Sequence, residues 1–157
     1  MPQRNDVPTC SVAADLTGAE YCVASTFRRT TRAITKAYDA ALQPSRLSST
    51  QFAILVAVAK TQPVAVGDLA DVLLVDSSTL SRSLVLMQRQ RLVAVSGRSA
   101  MRQRFVTLSP QGAHRLQDSV PRWRKVQAQF VHLLGSNHWK ELQRDFEKLS
   151  HRAAGLR

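Results

Sequence analysis

Between Ser77 and Ala113 the chain carries six arginines, Arg82, Arg89, Arg91, Arg98, Arg102 and Arg104, and no carboxylate. The acid-free run continues through Arg115 to Gln117, bounded by Asp76 and Asp118. With 11 acidic residues in 157, a gap of that length is not expected by chance. A guanidinium presents a planar fork of donors that matches a phosphate or the edge of guanine. A run of one sign repels itself, so it faces a partner of opposite charge. Ahead of the arginines stand the short hydroxyls Ser77, Ser78, Thr79, Ser81 and Ser83, which donate to phosphates or accept from bases.

Other chemistry is thinly supplied. His114, His132, His138 and His151 show no spacing that suggests a catalytic dyad, and His132 and His138 are separated by the Gly135 break. There is no glycine-rich phosphate loop. Cys10 and Cys22 are too few for a disulfide scaffold and match no metal-ligand spacing. Neither enzymatic activity nor a cofactor nor a metal is expected. The net charge of +11 fits a polyanionic partner. No apolar run reaches membrane-spanning length and the N-terminus lacks a signal-like segment, so no membrane partner and a cytoplasmic location are expected.

The elements that must hold these groups follow from periodicity. Residues 1–17 read as a loose arm. A helix is expected over 19–43, with Val23, Phe27, Ile34, Tyr38 and Leu42 on one face, ended by Pro44. Ser48 or Ser49 caps a helix from Thr50 to Lys60, with Phe52, Leu55, Val56 and Ala59 inward, and Gln62-Pro63 breaks it. Val66–Leu74 forms a third helix with Leu69, Val72 and Leu73 inward. Asp76 caps a fourth, from Ser77 to about Gln90, seated on Leu80, Leu84 and Met87 against Leu69, Leu73 and Phe52. Leu92–Val95 and Arg104–Leu108 read as the arms of a hairpin. Ser109-Pro110 starts a long helix that Pro121 either kinks or divides, with Leu116, Val120, Trp123, Val126, Phe130 and Leu133 or Leu134 on its core face. A last helix carries Trp139, Leu142, Phe146 and Leu149.

The fold class is therefore mainly α with a small β wing: a winged helix-turn-helix over 45–109, flanked by helices at 18–43 and 110–150, with a tail at 151–157. The flanking apolar stripes exceed what three short helices cover. A two-fold copy of the chain covers them, and an intramolecular helical layer is the alternative. In a winged helix the third helix of the unit enters the major groove of double-stranded DNA and the wing reaches the flanking minor groove. That puts Ser77, Ser78, Thr79, Ser81, Arg82 and Ser83 at base edges, Arg98 and Arg102 on the wing, and Arg89 and Arg104 on phosphates.

The order of parts resembles the MarR family of winged-helix transcriptional regulators. Leu47-Ser48-Ser49-Thr50-Gln51-Phe52-Ala53-Ile54-Leu55 is similar to the family's L-T-x-x-Q-x-x-x-L, and Leu69-Ala70-Asp71-Val72-Leu73 to its L-A-x-x-L. Asp76 to Arg82 matches the start of the recognition helix, and Val106-Thr107-Leu108-Ser109-Pro110-Gln111-Gly112 the V-x-L-T-x-x-G that leads out of the wing. The resemblance implies a homodimer joined through its first and last two helices on a pseudo-palindromic operator. It further implies a repressor, released by a small phenolic or amphipathic ligand or by cysteine oxidation. One departure stands out: family wings carry Asp-x-Arg or Asp-Arg-Arg, whereas Ser99-Ala100-Met101-Arg102 has no acid to brace the arginine.

For the switch, Phe27, Tyr38, Phe52 and Trp123 would line an effector cavity, or form plain core. Cys22 stands beside Tyr21 at a helix start near Arg28 and Arg29, a setting that activates a thiol. An inert cysteine is the other reading. The rival for the whole chain is a winged helix that binds DNA without sequence preference, as an architectural or partner-recruiting protein.

Overall fold

The computed structural model describes Gly18, residues 22–97 and 103–153, and Gly155. The chain divides into two compact units, residues 1–36 and 37–157. Helix α1 (Val23–Leu42) begins in the first, where Val23 and Ile34 are exposed. Its last turns belong to the second, where Tyr38 is half-buried and Leu42 fully buried. A short 3-10 turn, Gln43–Ser45, carries Pro44 and ends the helix, closing at Arg46 with φ 53°.

Ser48 starts α2 (Ser49–Thr61) with a reciprocal cap. Its Oγ accepts from Gln51 N, and Gln51 Oε1 accepts from Ser48 N. Two otherwise orphaned donors are thereby satisfied. The buried set of α2 is Phe52, Ile54, Leu55, Ala57 and Val58, and Ala59 is exposed rather than inward. The helix meets α5, β3 and α3 on different sides, so most of its circumference is covered and a single inward face does not exist.

After Pro63, the two residues of β1 (Val64–Ala65) lead into α3 (Val66–Leu73). Val66, Leu69, Ala70 and Leu73 recur at the i, i+3, i+4, i+7 spacing of a helical stripe. Leu69 and Ala70 are buried, and Val72, expected inward, is 65% exposed because it falls off that stripe. Leu74 turns left-handed at φ 52° to close α3, and its amide donates to the carbonyls of Ala70 and Asp71.

The fourth helix, α4 (Ser77–Arg89), sits on Leu80, Leu84 and Met87, all buried as expected. Asp76 holds the N-cap position without a side-chain cap bond. The wing comprises β2 (Val93–Gly97) and β3 (Arg104–Leu108), paired antiparallel from Val93 opposite Leu108 to Gly97 opposite Arg104. β1 adds to the other edge of β3, Val64 opposite Val106, giving a three-stranded sheet in the order β1-β3-β2.

Ser109 caps α5 (Pro110–Leu134), accepting from Gly112 N and donating to the Arg91 carbonyl. Pro121 neither divides nor ends α5, which runs unbroken for 25 residues. Its buried positions are Gly112, Ser119 and Val126; Leu116, Val120, Trp123 and Phe130 are partly covered, and Leu133 is 78% exposed. The last helix, α6 (Ser136–Ala153), buries no residue. One core gathers Leu47, Leu55, Val58, Leu69, Leu80, Leu84, Met87, Leu92 and Val106 beneath α4 and the sheet. Phe52, expected in that core, instead stacks on Trp123 with ring centroids 5.8 Å apart.

Candidate nucleic-acid interface

A helix with about 3.6 residues per turn places Ser78, Arg82, Val85 and Arg89 within about 60° of arc, opposite the buried stripe of Leu80, Leu84 and Met87. All four are exposed. The two flanks of α4 meet different neighbours. Ser81 lines a hollow of about 240 Å³ with Gly67, Asp68, Gln103 and Arg104, so that flank faces the base of the wing. Thr79 and Ser83 line a second hollow, of about 290 Å³, with Thr50, Ala53 and Leu73, so the other flank faces α2.

The hydroxyls thus divide. Ser78 points outward, and Ser77 is exposed at the first turn. Ser83 Oγ is turned back, donating to the Thr79 carbonyl at 3.2 Å. Thr79 Oγ1 accepts from Arg82 Nη2 at 3.2 Å, which braces the guanidinium along the helix. Arg104 is exposed at the foot of β3, opposite Gly97. Arg98 and Arg102 lie outside the described residues.

Among the described residues the ion pairs are His138 with Glu141 and Lys148 with Asp145, both on α6. Arg82, Arg89 and Arg104 therefore have no carboxylate partner there, although Asp68 shares a hollow with Arg104. An unneutralised arginine set beside a protruding helix has the form of a phosphate-binding edge.

The sequence marks Gln51 only as the glutamine of a family-like motif and Gln62 only as part of a helix break, not as ties that fix this edge. Gln51 caps α2 with its Oε1 and donates through Nε2 to Gln90 Oε1 at 2.7 Å, just past the end of α4. Gln62 Oε1 accepts from Leu108 N at 2.8 Å, tying the other end of α2 to the sheet. Polar residues such as these glutamines give no periodic signal.

A family model described as MarR family matches residues 47–104, the stretch from the start of α2 to the foot of β3. Among solved structures, the M. tuberculosis transcriptional regulator MosR in complex with DNA is 35% identical, covering 85% of this chain and 97% of that one, at a TM-score of 0.80. The chain belongs to the MarR family. It is a DNA-binding transcriptional regulator with a winged-helix fold. Likeness of fold extends to AbsC, a MarR family regulator from Streptomyces coelicolor, at 23% identity, 88% and 96% coverage and a TM-score of 0.74. The S. aureus MepR–DNA complex is similar in fold at 15% identity, 83% and 98% coverage and a TM-score of 0.73. No curated protein sequence matches the chain.

Of the four residues expected around an effector cavity, Tyr38, Phe52 and Trp123 line one groove of about 410 Å³ in this MarR protein, with Leu42, Val56 and Val72. Lys60 adds a cation to the lining. The Tyr38 hydroxyl donates to Gln127 Oε1, and its ring stacks on Phe130 at 5.6 Å. Burial pushes the Tyr38 phenol above its usual 10.0, because the anion would lose solvation. Phe27 lies in the first unit. Cys22 is exposed immediately before α1. Cys10 lies outside the described residues, as does the acid-free segment Ser99–Arg102. No group of three or more His, Cys, Asp or Glu suited to a metal ion occurs among the described residues. No described helix is long and apolar enough to cross a membrane.

Proposed function

We propose that the protein is a homodimeric repressor of a pseudo-palindromic operator, released by a small amphipathic ligand. The observation that carries the reading is the outer stripe of α4, where Ser78 is exposed and Arg82 and Arg89 have no carboxylate partner among the described residues. Ser78 and Arg82 sit in the first half of the helix, which in a winged helix meets base edges. Arg89 and Arg104 lie further out and suit phosphates. By their place in the sequence, Arg98 and Arg102 would add further DNA contacts.

Support for a dimer comes from apolar surface left open on the flanking helices. Leu133 and Leu149 are exposed, and α6 buries nothing. A two-fold copy that covers this surface would present two α4 helices to half-sites about 34–36 Å apart. For the ligand, the groove between Tyr38, Phe52 and Trp123 offers aromatic walls and the Lys60 ammonium, a combination suited to an aromatic ring bearing an anionic group. Exposure of Cys22 leaves thiol oxidation as a second release route.

Selection of bound duplexes from a random pool, repeated with aromatic carboxylates and with an organic hydroperoxide, tests this reading. A recovered palindrome lost under one condition supports it. Affinity for the best recovered duplex equal to that for random duplex, at fixed salt, would favour the architectural rival. Release by hydroperoxide in wild type and equally in Cys22→Ser would exclude the thiol route.

A further inference from the structure

The outer stripe of α4 contains one residue that phosphate binding does not explain. Val85 lies between Arg82 and Arg89, about one turn from each, and is 42% exposed. It faces away from Leu84 and Met87, which are fully buried, so it adds nothing to the core. It is also absent from the hollows on both flanks of the helix, which are lined by Ser81 on the wing side and by Thr79 and Ser83 on the α2 side. A β-branched side chain at this position is a mild cost to helix formation. Its neighbours along the stripe are Ser78, Arg82 and Arg89, so it is the one wholly apolar side chain there.

We infer that Val85 contacts the 5-methyl group of a thymine in the major groove and makes the protein prefer A·T at one position of each half-site. The major groove displays only one apolar feature, the thymine methyl, and apolar side chains recognise it by contact. Arg82, held by Thr79, and Arg89 fix the helix on either side, so the reach of Val85 is set by the flanking arginines. This inference rests on the reading of α4 as the major-groove helix.

The test uses duplexes that the full-length protein selects from a random pool, resynthesised with deoxyuridine in place of single thymines. Deoxyuridine pairs as thymine does and lacks only the methyl. For wild type, one substitution within a half-site should weaken binding about fourfold, the value of removing one buried methyl-sized group. With Val85→Ala that substitution should change nothing, and with Val85→Ile the sensitivity should return. Val85 is solvent-facing, so both variants should fold, which melting curves would verify. Equal sensitivity of wild type and Val85→Ala at every thymine, or none in either, overturns the inference while the operator reading stands. A pool that yields no enriched sequence overturns the operator reading, and the inference with it.

Discussion

Replacing Gly112 by alanine should unfold the junction between wing and long helix. A Cβ at Gly112 would stand 1.8 Å from the Leu92 carbonyl oxygen and 2.8 Å from its carbon. Both are backbone atoms, so no rotamer change relieves the clash. Leu92 cannot retreat easily: its side chain is fully buried, its amide donates to the Met87 carbonyl, and its carbonyl accepts from Ser109 N at 3.1 Å. Forced overpacking costs about 1–3 kcal/mol, and breaking the Ser109 bond adds about 1 kcal/mol. Opposing this, alanine gains up to about 1 kcal/mol over glycine in a helix interior, less so close to the N-terminus. Sterics win, leaving a loss of about 2–3 kcal/mol. At about 2–4 °C per kcal/mol for a chain of this size, the melting temperature should fall by about 4–12 °C. Thermal unfolding followed by circular dichroism, at matched protein concentration, reads this directly. Gly67→Ala is the control. No atom lies within 4 Å of its would-be Cβ, so that variant should melt at or slightly above wild type. If Gly112→Ala melted with Gly67→Ala, helix propensity would have outweighed contact and the packing argument would be wrong.

Ser48→Ala removes the hydroxyl that accepts from Gln51 N, while the backbone bond from Ser48 N to Gln51 Oε1 can persist, and should cost about 1 kcal/mol in urea unfolding; an unchanged midpoint would show that solvent satisfies the Gln51 amide equally well. Arg82→Ala should weaken operator binding. A lower salt slope, by about one unit with all sequences affected alike, marks a phosphate contact, and loss of preference at one base pair marks a guanine. No change in either would remove Arg82 from the interface. Since burial holds the Tyr38 phenol above 10.0, the folded state holds that proton more tightly than the unfolded chain does. Its contribution to stability is complete below pH 10 and lost as pH rises through the higher folded value. Tyr38→Phe should flatten that alkaline decline, and an identical decline in both proteins would refute the assignment.

Much of the fold was legible because it is written in helical periodicity. Leu80, Leu84 and Met87 lie on one stripe, and the structure buries all three. Periodicity failed where a helix is covered on several sides, as in α2, and where an element is too short to have a period, as in β1. Val72 misled for a related reason: α3 has eight residues, and one apolar residue off the stripe is enough to blur it. Pro121 left two outcomes open because a proline removes one donor and crowds one turn, and tertiary packing decides whether the helix tolerates this. For the site, residue type marked the basic edge. Which hydroxyls point outward depends on the two neighbours of α4, and those come from distant parts of the chain.

The glutamine straps have a consequence for how the protein responds to its medium. Gln51 and Gln62 fasten α2 to the end of α4 and to β3 through uncharged amides. Added salt screens bare charges and displaces proteins from polyanions, but it barely weakens neutral hydrogen bonds. The frame that aims the arginines is thus insulated from the ions that compete with them. Ionic strength can loosen the grip on a duplex across a wide range while the gripping surface keeps its shape. A cell that changes its internal salt would therefore retune occupancy without reshaping the regulator.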